Sequence, residues 1–213
     1  MKINLEILSA TYLFASEEVD DLRTKELVPK MVFRRRLTRA AKLVVEAVDK
    51  VNFENGRIIY GSAFGELKAS ANILSAILNE EMISPTDFQN SVYNTAVSYL
   101  SILKNNKNEI LTISSGDKTA EKILKVGAIK ALDGDEILLL ASETMNIKNI
   151  EQINKCIDTL ENVVALKVRV SKEKATINIL NQNNSKYPES ISQMIEIAKD
   201  YDENKQNIIE IQI

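Results

Sequence analysis

The 213-residue chain contains no histidine, no tryptophan and a single cysteine, Cys156. The lack of histidine excludes Ser-His-Asp and Cys-His catalysis within the chain, together with the usual zinc ligand sets and histidine general bases. Any chemistry that the chain performs alone must therefore use carboxylates, Lys, Tyr, Ser or the one Cys. A lone cysteine cannot form an internal disulfide, which fits a reducing compartment.

The chain also lacks a strong net charge and long apolar runs. Its 27 Lys and Arg face 30 Asp and Glu, which leaves a net charge of −3 and no overall attraction to nucleic acid or to an anionic membrane. No run reaches the ~18–20 apolar residues of a membrane-spanning helix, and acidic residues stand where a signal sequence needs a small-residue cleavage site. We therefore expect a cytoplasmic protein with no membrane span and no nucleic-acid partner.

Short apolar runs alternate with helical patterns along the chain. Strands are predicted at Ile3–Ala15, Arg57–Ala63, Glu109–Ser114, Glu136–Ala141, Val163–Val170, Ala175–Leu180 and Ile208–Ile213. Helices are predicted at Phe33–Val51, Gly65–Leu78, Ser84–Leu103, Ile150–Leu160 and Pro188–Asp200. A further helix, which follows the turn Ser115-Gly116-Asp117, is predicted to end at Leu132. This alternation predicts an α/β fold with a mostly parallel, mixed sheet flanked by helices.

Two of these helices have further features. Ser84 is a predicted N-cap, followed by an apolar stripe that includes Phe88 and Val92. The helix after Ser115 has a face of small residues, which predicts close packing inside the protein. That face consists of Ala120, Gly127, Ala128 and Ala131.

A family resemblance rests on four segments that occur in order. These are RRRLTRAAK (Arg34–Lys42), YGSAFGELKASANIL (Tyr60–Leu74), SPTDFQNSVYNTAVSYLSI (Ser84–Ile102) and ISSGDKTAEKILKVGAIKALDGDEILLLASE (Ile113–Glu143). Together they resemble the N-terminal half of β-ketoacyl synthases. They are most similar to the small synthase-like proteins described as chain length factors in type II fatty acid, polyketide and aryl-polyene-type systems.

The resemblance implies a thiolase-like half-fold: one synthase N-terminal-like domain over residues 1–213, with the likeness clearest over 34–144. Residues after about Ile150 match nothing by motif.

The resemblance also implies where a catalytic nucleophile would lie. Such synthases present a Cys on a sharp turn between a strand and a buried helix, where the helix dipole and backbone N–H groups activate it. The corresponding position lies near Gly116 and Asp117, and no Cys is there. The synthases also use two His residues from a C-terminal half. The resemblance therefore implies that the fold is retained and the condensation chemistry lost, with no catalytic residue, cofactor or metal.

Three residues near that turn and the one distant cysteine are the candidates to replace the missing nucleophile. A carboxylate at a helix N-terminus is held ionised by the dipole, so Asp117 is interpreted as a cap rather than a nucleophile. Ser114 and Ser115 have no base to activate them. Cys156 lies on a predicted amphipathic helix and is interpreted as a small buried hydrophobe.

The strongest local charge feature is a basic run, which has two interpretations. Acyl carrier proteins are strongly acidic, and a basic cluster is what docking one requires. The same cations could instead pair with acidic residues in the preceding loop, 17–21. An RNA-binding role is disfavoured because no aromatic or glycine-rich RNA motif accompanies the run. The run consists of Arg34, Arg35, Arg36, Arg39 and Lys42.

The predicted half-fold implies a partner subunit. A complete thiolase-like subunit stacks two halves, so one half alone is expected to leave its small-residue helix partly uncovered. The candidate interface residues are Ser91, Asn94, Ala120, Gly127, Ala128 and Ala131. Asn94 has a competing interpretation as a buried polar group with a structural partner.

The expected partner is a ketosynthase, to which the chain contributes as a non-catalytic, chain-length-factor-like subunit, or a second copy of the chain. The alternatives are a self-associating scaffold or regulatory protein, and an acyl-thioester enzyme that uses Asp, Lys or Ser.

Overall fold

Within the part of the chain that the structure describes, six strands form one mixed sheet in the order β3-β2-β4-β5-β1-β6. A computed structural model describes residues 1–148, 150, 158–177, 186–204 and 206–213. The strands are β1 (Lys2–Ala15), β2 (Arg57–Gly61), β3 (Ile110–Ile113), β4 (Ile137–Thr144), β5 (Glu161–Ser171) and β6 (Ile208–Gln212). The helices are α1 (Thr24–Leu27), α2 (Met31–Arg34), α3 (Arg39–Lys50), α4 (Leu67–Leu78), α5 (Pro85–Asn90), α6 (Thr95–Lys104), α7 (Thr119–Ala131) and α8 (Glu189–Asn204).

The predicted α/β fold with a mixed sheet flanked by helices is confirmed. Parallel pairing is confined to β3-β2-β4, whereas β5 is antiparallel to β4, and β1 is antiparallel to both β5 and β6. The expected predominance of parallel pairs is therefore corrected. A strand buried on both faces is a continuous apolar run whatever the direction of its neighbours, so composition could not distinguish the two arrangements.

The buried strand β4 shows how the sheet divides the core into two layers. Ile137, Leu139 and Ala141 face the apolar cluster that contains residues of α7 and α8. Leu138 and Leu140 face the opposite cluster, which contains residues of α3 and α6. Successive side chains of a strand point to opposite faces, so one apolar run serves both layers.

A bulge in β1 explains why its alternation is loose. Ile3, Leu5 and Ile7 point into the α7–α8 cluster, and the pairing with β5 shifts register between Ile7 and Ser9. After the shift, Ala10 and Tyr12 pack against that same cluster. The extra residue moves the inward positions from odd to even numbers, as a β-bulge does.

Two predicted helices are each interrupted. The predicted helix Phe33–Val51 is divided into α2 and α3, because Thr38 is extended and its hydroxyl accepts a hydrogen bond from Ala41 N–H, which makes it the N-cap of α3. The predicted helix Ser84–Leu103 is divided into α5 and α6. Its predicted cap is confirmed, since Ser84 Oγ accepts from Asp87 N–H at 3.3 Å.

The small-residue face of α7 is buried as predicted, within its own chain. Ala120, Ala128 and Ala131 have at most 1% of their surface exposed, and Gly127 lies against the side chain of Leu139. Helix α8, from the region without a motif match, packs on α7 and on the sheet. The expectation that this face is partly uncovered is therefore wrong. These four residues are buried and present almost no surface to a second subunit.

Some predictions fall partly or wholly outside the described residues. Residues 151–157, with Cys156, lie outside them, as do residues 178–180 of the predicted strand Ala175–Leu180. Ile177 of that predicted strand makes an isolated parallel bridge to Ile209. In the described ranges, no helix is both long enough and apolar enough to cross a membrane.

The contact between Gly127 and Leu139 predicts that Gly127→Ala destabilises the protein. A methyl group at this position would overlap the Leu139 side chain, which costs about 1–3 kcal/mol and exceeds the ~1 kcal/mol gained in helix propensity. Chemical denaturation measures the difference. Ser70→Ala, at an exposed position of α4, is the control and should stay within about 0.5 kcal/mol of the wild type. An unchanged or higher stability of Gly127→Ala would contradict the packing described.

Candidate functional site

The turn from β3 to α7 occupies the position where the resemblance implies a lost nucleophile. Ser114, Ser115, Gly116 and Asp117 are all exposed, and Gly116 has a φ of +54°. Ser115 N–H donates to Thr119 Oγ at 3.0 Å, and Thr119 Oγ donates to the carbonyl of Gly116 at 2.7 Å. The turn is therefore held by a threonine hydroxyl.

Asp117 does not cap α7, so this part of the sequence interpretation is wrong. It lies inside a short 3-10 turn, Gly116–Lys118, and no side-chain cap bond is made at the start of that turn or of α7. Thr119, which is fully buried, satisfies the backbone there instead. Asp117 thus does not have the predicted capping role.

A buried carboxylate, Glu143, lies at the carboxyl end of β4. Its oxygens accept hydrogen bonds from Ala63 N–H (2.7 Å), Phe64 N–H (3.2 Å), Ser62 Oγ (2.8 Å) and Ser190 Oγ (2.7 Å). One side chain thus joins β4, the turn after β2 and the first turn of α8.

The surroundings of Glu143 favour a structural role. Burial raises the pKa of Glu143, and the hydrogen bonds from Ala63, Ser190, Ser62 and Phe64 oppose that rise. With its oxygens engaged by four donors and 1% of its surface exposed, the carboxylate holds the β2–α4 turn in place. The sequence interpretation did not select it. The available signal was an acid at the end of an otherwise apolar strand.

A second buried carboxyl group, Glu66, stands directly before α4. Its Oε1 accepts a hydrogen bond from Thr38 Oγ at 2.6 Å, so it connects the start of α4 to the N-cap of α3. Burial raises the pKa of Glu66 to about 7, and the bond from Thr38 only partly offsets this. Glu66 therefore changes protonation near neutral pH.

One member of the basic run, Arg39, has a structural partner. Its Nε and Nη2 donate to the two carboxylate oxygens of buried Glu161 at 2.6 and 2.7 Å, and Nη2 also donates to the carbonyl of Val19. Glu161 in turn accepts from Val19 N–H at 2.8 Å. Hydrogen bonding to Glu161 raises the pKa of Arg39. The ion pair of Arg39 with Glu161, together with their hydrogen bonds to Val19, therefore holds the 16–21 loop in place. The Arg39 guanidinium is not free to dock a partner.

The other four basic residues differ in exposure. Arg34 ends α2 and donates to the carbonyl of Val28 at 2.8 Å, while Lys42 is half-buried. Arg35 and Arg36 are exposed and form no ion pair within the described part of the chain. The run therefore does not lie within a single helix, as the predicted helix Phe33–Val51 implied, because it spans the end of α2, the following turn and the start of α3.

The remaining candidate interface residues lie between α5 and α6. Ser91 is half-buried and donates from Oγ to the carbonyl of Phe88 at 2.9 Å. Asn94 is exposed, which corrects its interpretation as a buried polar group. Phe88 and Val92, predicted as a core stripe, are exposed by 69% and 51%. The structure therefore places an apolar surface where the sequence predicted core.

The family is shown by a comparison that covers nearly the whole chain. Residues 12–210 match the family model "Beta-ketoacyl synthase, N-terminal domain". The protein belongs to this family, and its sheet and helices have the corresponding thiolase-like architecture.

Solved structures with this fold include complexes of ketosynthases. A chain of the ketosynthase (ApeO) in complex with its chain length factor (ApeC) from Xenorhabdus doucetiae is 20% identical, with a TM-score of 0.71 and 92% of each chain covered. The ishigamide ketosynthase/chain length factor is 12% identical, with a TM-score of 0.62. The superposition covers 81% of this chain and 63% of that chain.

A third similar structure contains a carrier protein. The AntDE:AntF assembly, described as a type II PKS acyl-carrier protein in complex with its ketosynthase, is 13% identical with a TM-score of 0.63. The superposition covers 81% of this chain and 64% of the matched chain. The protein therefore spans less than two thirds of the matched chain in this structure and in the ishigamide structure. A search of curated proteins finds no match.

The protonation of Glu66 predicts a pH-dependent stability. Its pKa is about 7 in the folded chain against the usual 4.5, so the folded state binds the proton more tightly. The free energy of unfolding should fall as pH rises between about 4.5 and 7, by up to about 3 kcal/mol.

Glu66→Gln tests this dependence by denaturation across that pH range. The amide oxygen can still accept from Thr38, so the variant should fold and should lose most of the decline. Glu81→Gln removes an exposed carboxylate of the same segment and should keep the wild-type profile. Parallel profiles for the wild type and Glu66→Gln would exclude Glu66 as the titrating group.

Proposed function

We propose that the protein is a non-catalytic, chain-length-factor-like subunit that pairs with a ketosynthase in fatty acid- or polyketide-type acyl chain assembly. The observation that carries the proposal is the β3–α7 turn. The turn has the strand–helix geometry of the family, yet it presents Ser114, Ser115, Gly116 and Asp117 in a chain without histidine. A protein that keeps this framework without its nucleophile is suited to shape or support a catalytic partner.

The free edge of β3 supports the pairing. Ile58 N–H and Ser62 N–H donate to the carbonyls of Glu109 and Ile113, so these carbonyls point toward β2. Because backbone groups alternate along a strand, those of Ile110 and Thr112 point to the outer edge. No described strand pairs with that edge.

The sequence of β3 does not protect this edge. The strand reads ILTI, without the charge or proline that normally blocks edge pairing. An open and unprotected edge of this kind can accept a strand from a second thiolase-like subunit. The parallel part of the sheet would then continue into the partner.

Thr112→Pro tests the pairing through β3. The tagged full-length chain, purified from its native cells, should retain a ketosynthase that mass spectrometry identifies. Proline at position 112 removes an N–H from the outer edge and leaves the β2 ladder intact. It should therefore lower the affinity for that ketosynthase at least about tenfold.

Two further measurements make the test decisive. Circular dichroism must show that Thr112→Pro is folded, and Thr112→Lys, which puts a charge on the same edge, should weaken pairing in the same direction. Recovery of the wild-type chain as a homodimer without a ketosynthase would instead support the self-associating scaffold. Turnover of an acyl thioester by the isolated chain, abolished by Asp117→Ala, would support an enzyme.

We further propose that the exposed part of the basic run docks an acyl carrier protein. Arg35 and Arg36 are exposed in the turn after α2, and Lys30 is exposed just before this helix. Beside Lys30, a groove of about 310 Å³ is lined by Val28, Pro29, Phe33, Ile102 and Leu103. Cations beside an apolar groove suit an acidic, amphipathic helix.

Reversing both charges tests this docking. Arg35→Glu combined with Arg36→Glu should weaken the binding of a purified type II acyl carrier protein at least about tenfold at low salt, with a smaller difference at high salt. Isothermal titration calorimetry at two salt concentrations measures both values. Lys172→Glu, at an exposed site far along the chain, is the control. Equal affinities for the wild type and the double variant at both concentrations would remove the proposal.

A further inference from the structure

The segment between β2 and α6 has few buried contacts. From Leu67 to Asn94, Ala69 is the one residue that is buried. Helices α4 and α5 pack chiefly on each other and form the α4–α5 hairpin. Its side chains include Leu78 and Met82, which are exposed by 74% and 96%. A segment with so few buried contacts opens at a low cost in free energy, so its position depends on the attachments at its two ends.

The end of the hairpin is attached by hydrogen bonds to α6. The side-chain oxygen of Asn90 accepts from Tyr99 Oη at 3.1 Å, and the carbonyl of Asn90 accepts from Thr95 Oγ at 3.0 Å. Thr95 is itself buried. This attachment uses amide and hydroxyl groups and no carboxyl group.

The start of the hairpin is attached through a carboxyl group, that of Glu66. This residue occupies the N-cap position of α4 and has 7% of its surface exposed. Its Oε1 accepts from Thr38 Oγ at 2.6 Å, and Thr38 in turn caps α3 through Ala41 N–H. One hydrogen bond between side chains therefore joins the start of α4 to the start of α3.

Glu66 differs from the other buried acids in what its oxygens bind. Glu46 and Glu161 are each paired with an arginine. Glu143 accepts four hydrogen bonds, two of them from backbone N–H groups. Among the described residues, Glu66 accepts one hydrogen bond, from a hydroxyl group, and pairs with no cation. A buried carboxylate with one donor is strongly unfavourable, so the arrangement fits a neutral carboxyl group.

The neighbouring elements supply no compensating charge within the described part of the chain. Their titratable or charged residues are Arg39 and Lys42 of α3, Tyr60 of β2, Glu143 of β4 and Lys68 of α4. Arg39 is bonded to another buried acid, Lys68 is exposed, and no described lysine or arginine forms an ion pair with Glu66. Burial raises the pKa of Tyr60, and the negative charges of Glu66 and Glu143 raise it further. Ionisation of Glu66 in place would therefore leave its charge uncompensated.

The chain at this point can move the carboxyl group into water. Gly65 directly precedes Glu66 and has a φ of +59°, a conformation that glycine adopts freely, so it is a suitable pivot. The movement breaks the hydrogen bond from Thr38. The residues that follow in α4 have almost no buried surface to lose.

The pKa of Glu66 gives the direction of the effect. Burial raises this pKa to about 7, and the hydrogen bond from Thr38 partly offsets the rise. A carboxyl group moved into water returns to its usual pKa of 4.5. The closed form therefore binds the proton more tightly, so opening becomes more favourable as pH rises from about 4.5 to 7 and changes little above that range.

We propose that Glu66 is a proton-controlled latch on the α4–α5 hairpin. Its neutral carboxyl group holds the start of α4 against the N-cap of α3, and its ionisation releases the hairpin while the sheet and α6 stay folded. The inference is independent of the proposed function, because it concerns the chain without a partner.

Hydrogen–deuterium exchange with mass spectrometry tests the latch on the isolated full-length chain. Peptides of α4 are compared between the wild type and Glu66→Gln at the same pH, so that the intrinsic pH dependence of exchange cancels. The amide oxygen of glutamine can still accept from Thr38 but cannot ionise. The ratio of the wild-type rate to the variant rate should rise at least about tenfold between pH 5.5 and pH 7.5.

A control variant and a second region make this test specific. Glu81→Gln removes an exposed carboxylate of the same segment and should exchange as the wild type does at both pH values. Peptides of α7, which is buried against the sheet, should exchange at least about tenfold more slowly than those of α4. A constant ratio between the wild type and Glu66→Gln would overturn the latch, as would equal exchange in α4 and α7, which indicates global unfolding.

NMR spectroscopy supplies a second readout that needs no variant to fold. With ¹³C-labelled glutamate, one carboxyl resonance of the wild type should titrate with a midpoint near pH 7, and the backbone amide signals of residues 67–94 should change with the same midpoint. Amide signals there that do not follow a near-neutral titration would overturn the latch. Persistence of that titration in Glu66→Gln would assign it to another acid, such as Glu143, and would also overturn it.

Discussion

The buried carboxylate of Glu143 organises the part of the fold on which the proposed site depends. It is held in the protein interior by two backbone and two hydroxyl donors, and an unsatisfied carboxylate there would be strongly unfavourable. Its donors come from the turn after β2 and from α8. The path of the chain into the α4–α5 hairpin is thus set by hydrogen bonds to one side chain of β4.

The other buried acids have comparable roles. Glu161 binds Arg39 and the backbone of Val19, Glu46 binds Arg23, and Glu66 binds Thr38. Each connects an element of regular structure to a loop or to a helix start. The buried carboxylates of the described residues therefore fix connections between elements of the fold.

The sequence predicted β2, β3, β4 and β6 well because each is a short apolar run with clear ends. The small-residue face of α7 was also predicted from the sequence, because Gly127 allows the helix to approach Leu139 closely. The hydrogen bond between Glu143 and Ser190 was not predicted, because these residues are 47 positions apart and an acid at the end of an apolar strand does not identify its partner. Phe88 and Val92 show a second limit: helical periodicity reveals an apolar face but not what covers it. The break at Thr38 could have been found from its N-cap pattern.

The exposed apolar side chains between Leu74 and Tyr93 also have a consequence for the protein in water. A chain that displays Met82 and Leu78 to water has a surface prone to non-specific association whenever it is produced in excess of whatever covers it. A ligand or subunit that binds this surface only in the folded state stabilises the fold by mass action. In the proposed pairing, the amount of folded chain in a cell would follow the supply of the partner, because unaccompanied copies would be lost.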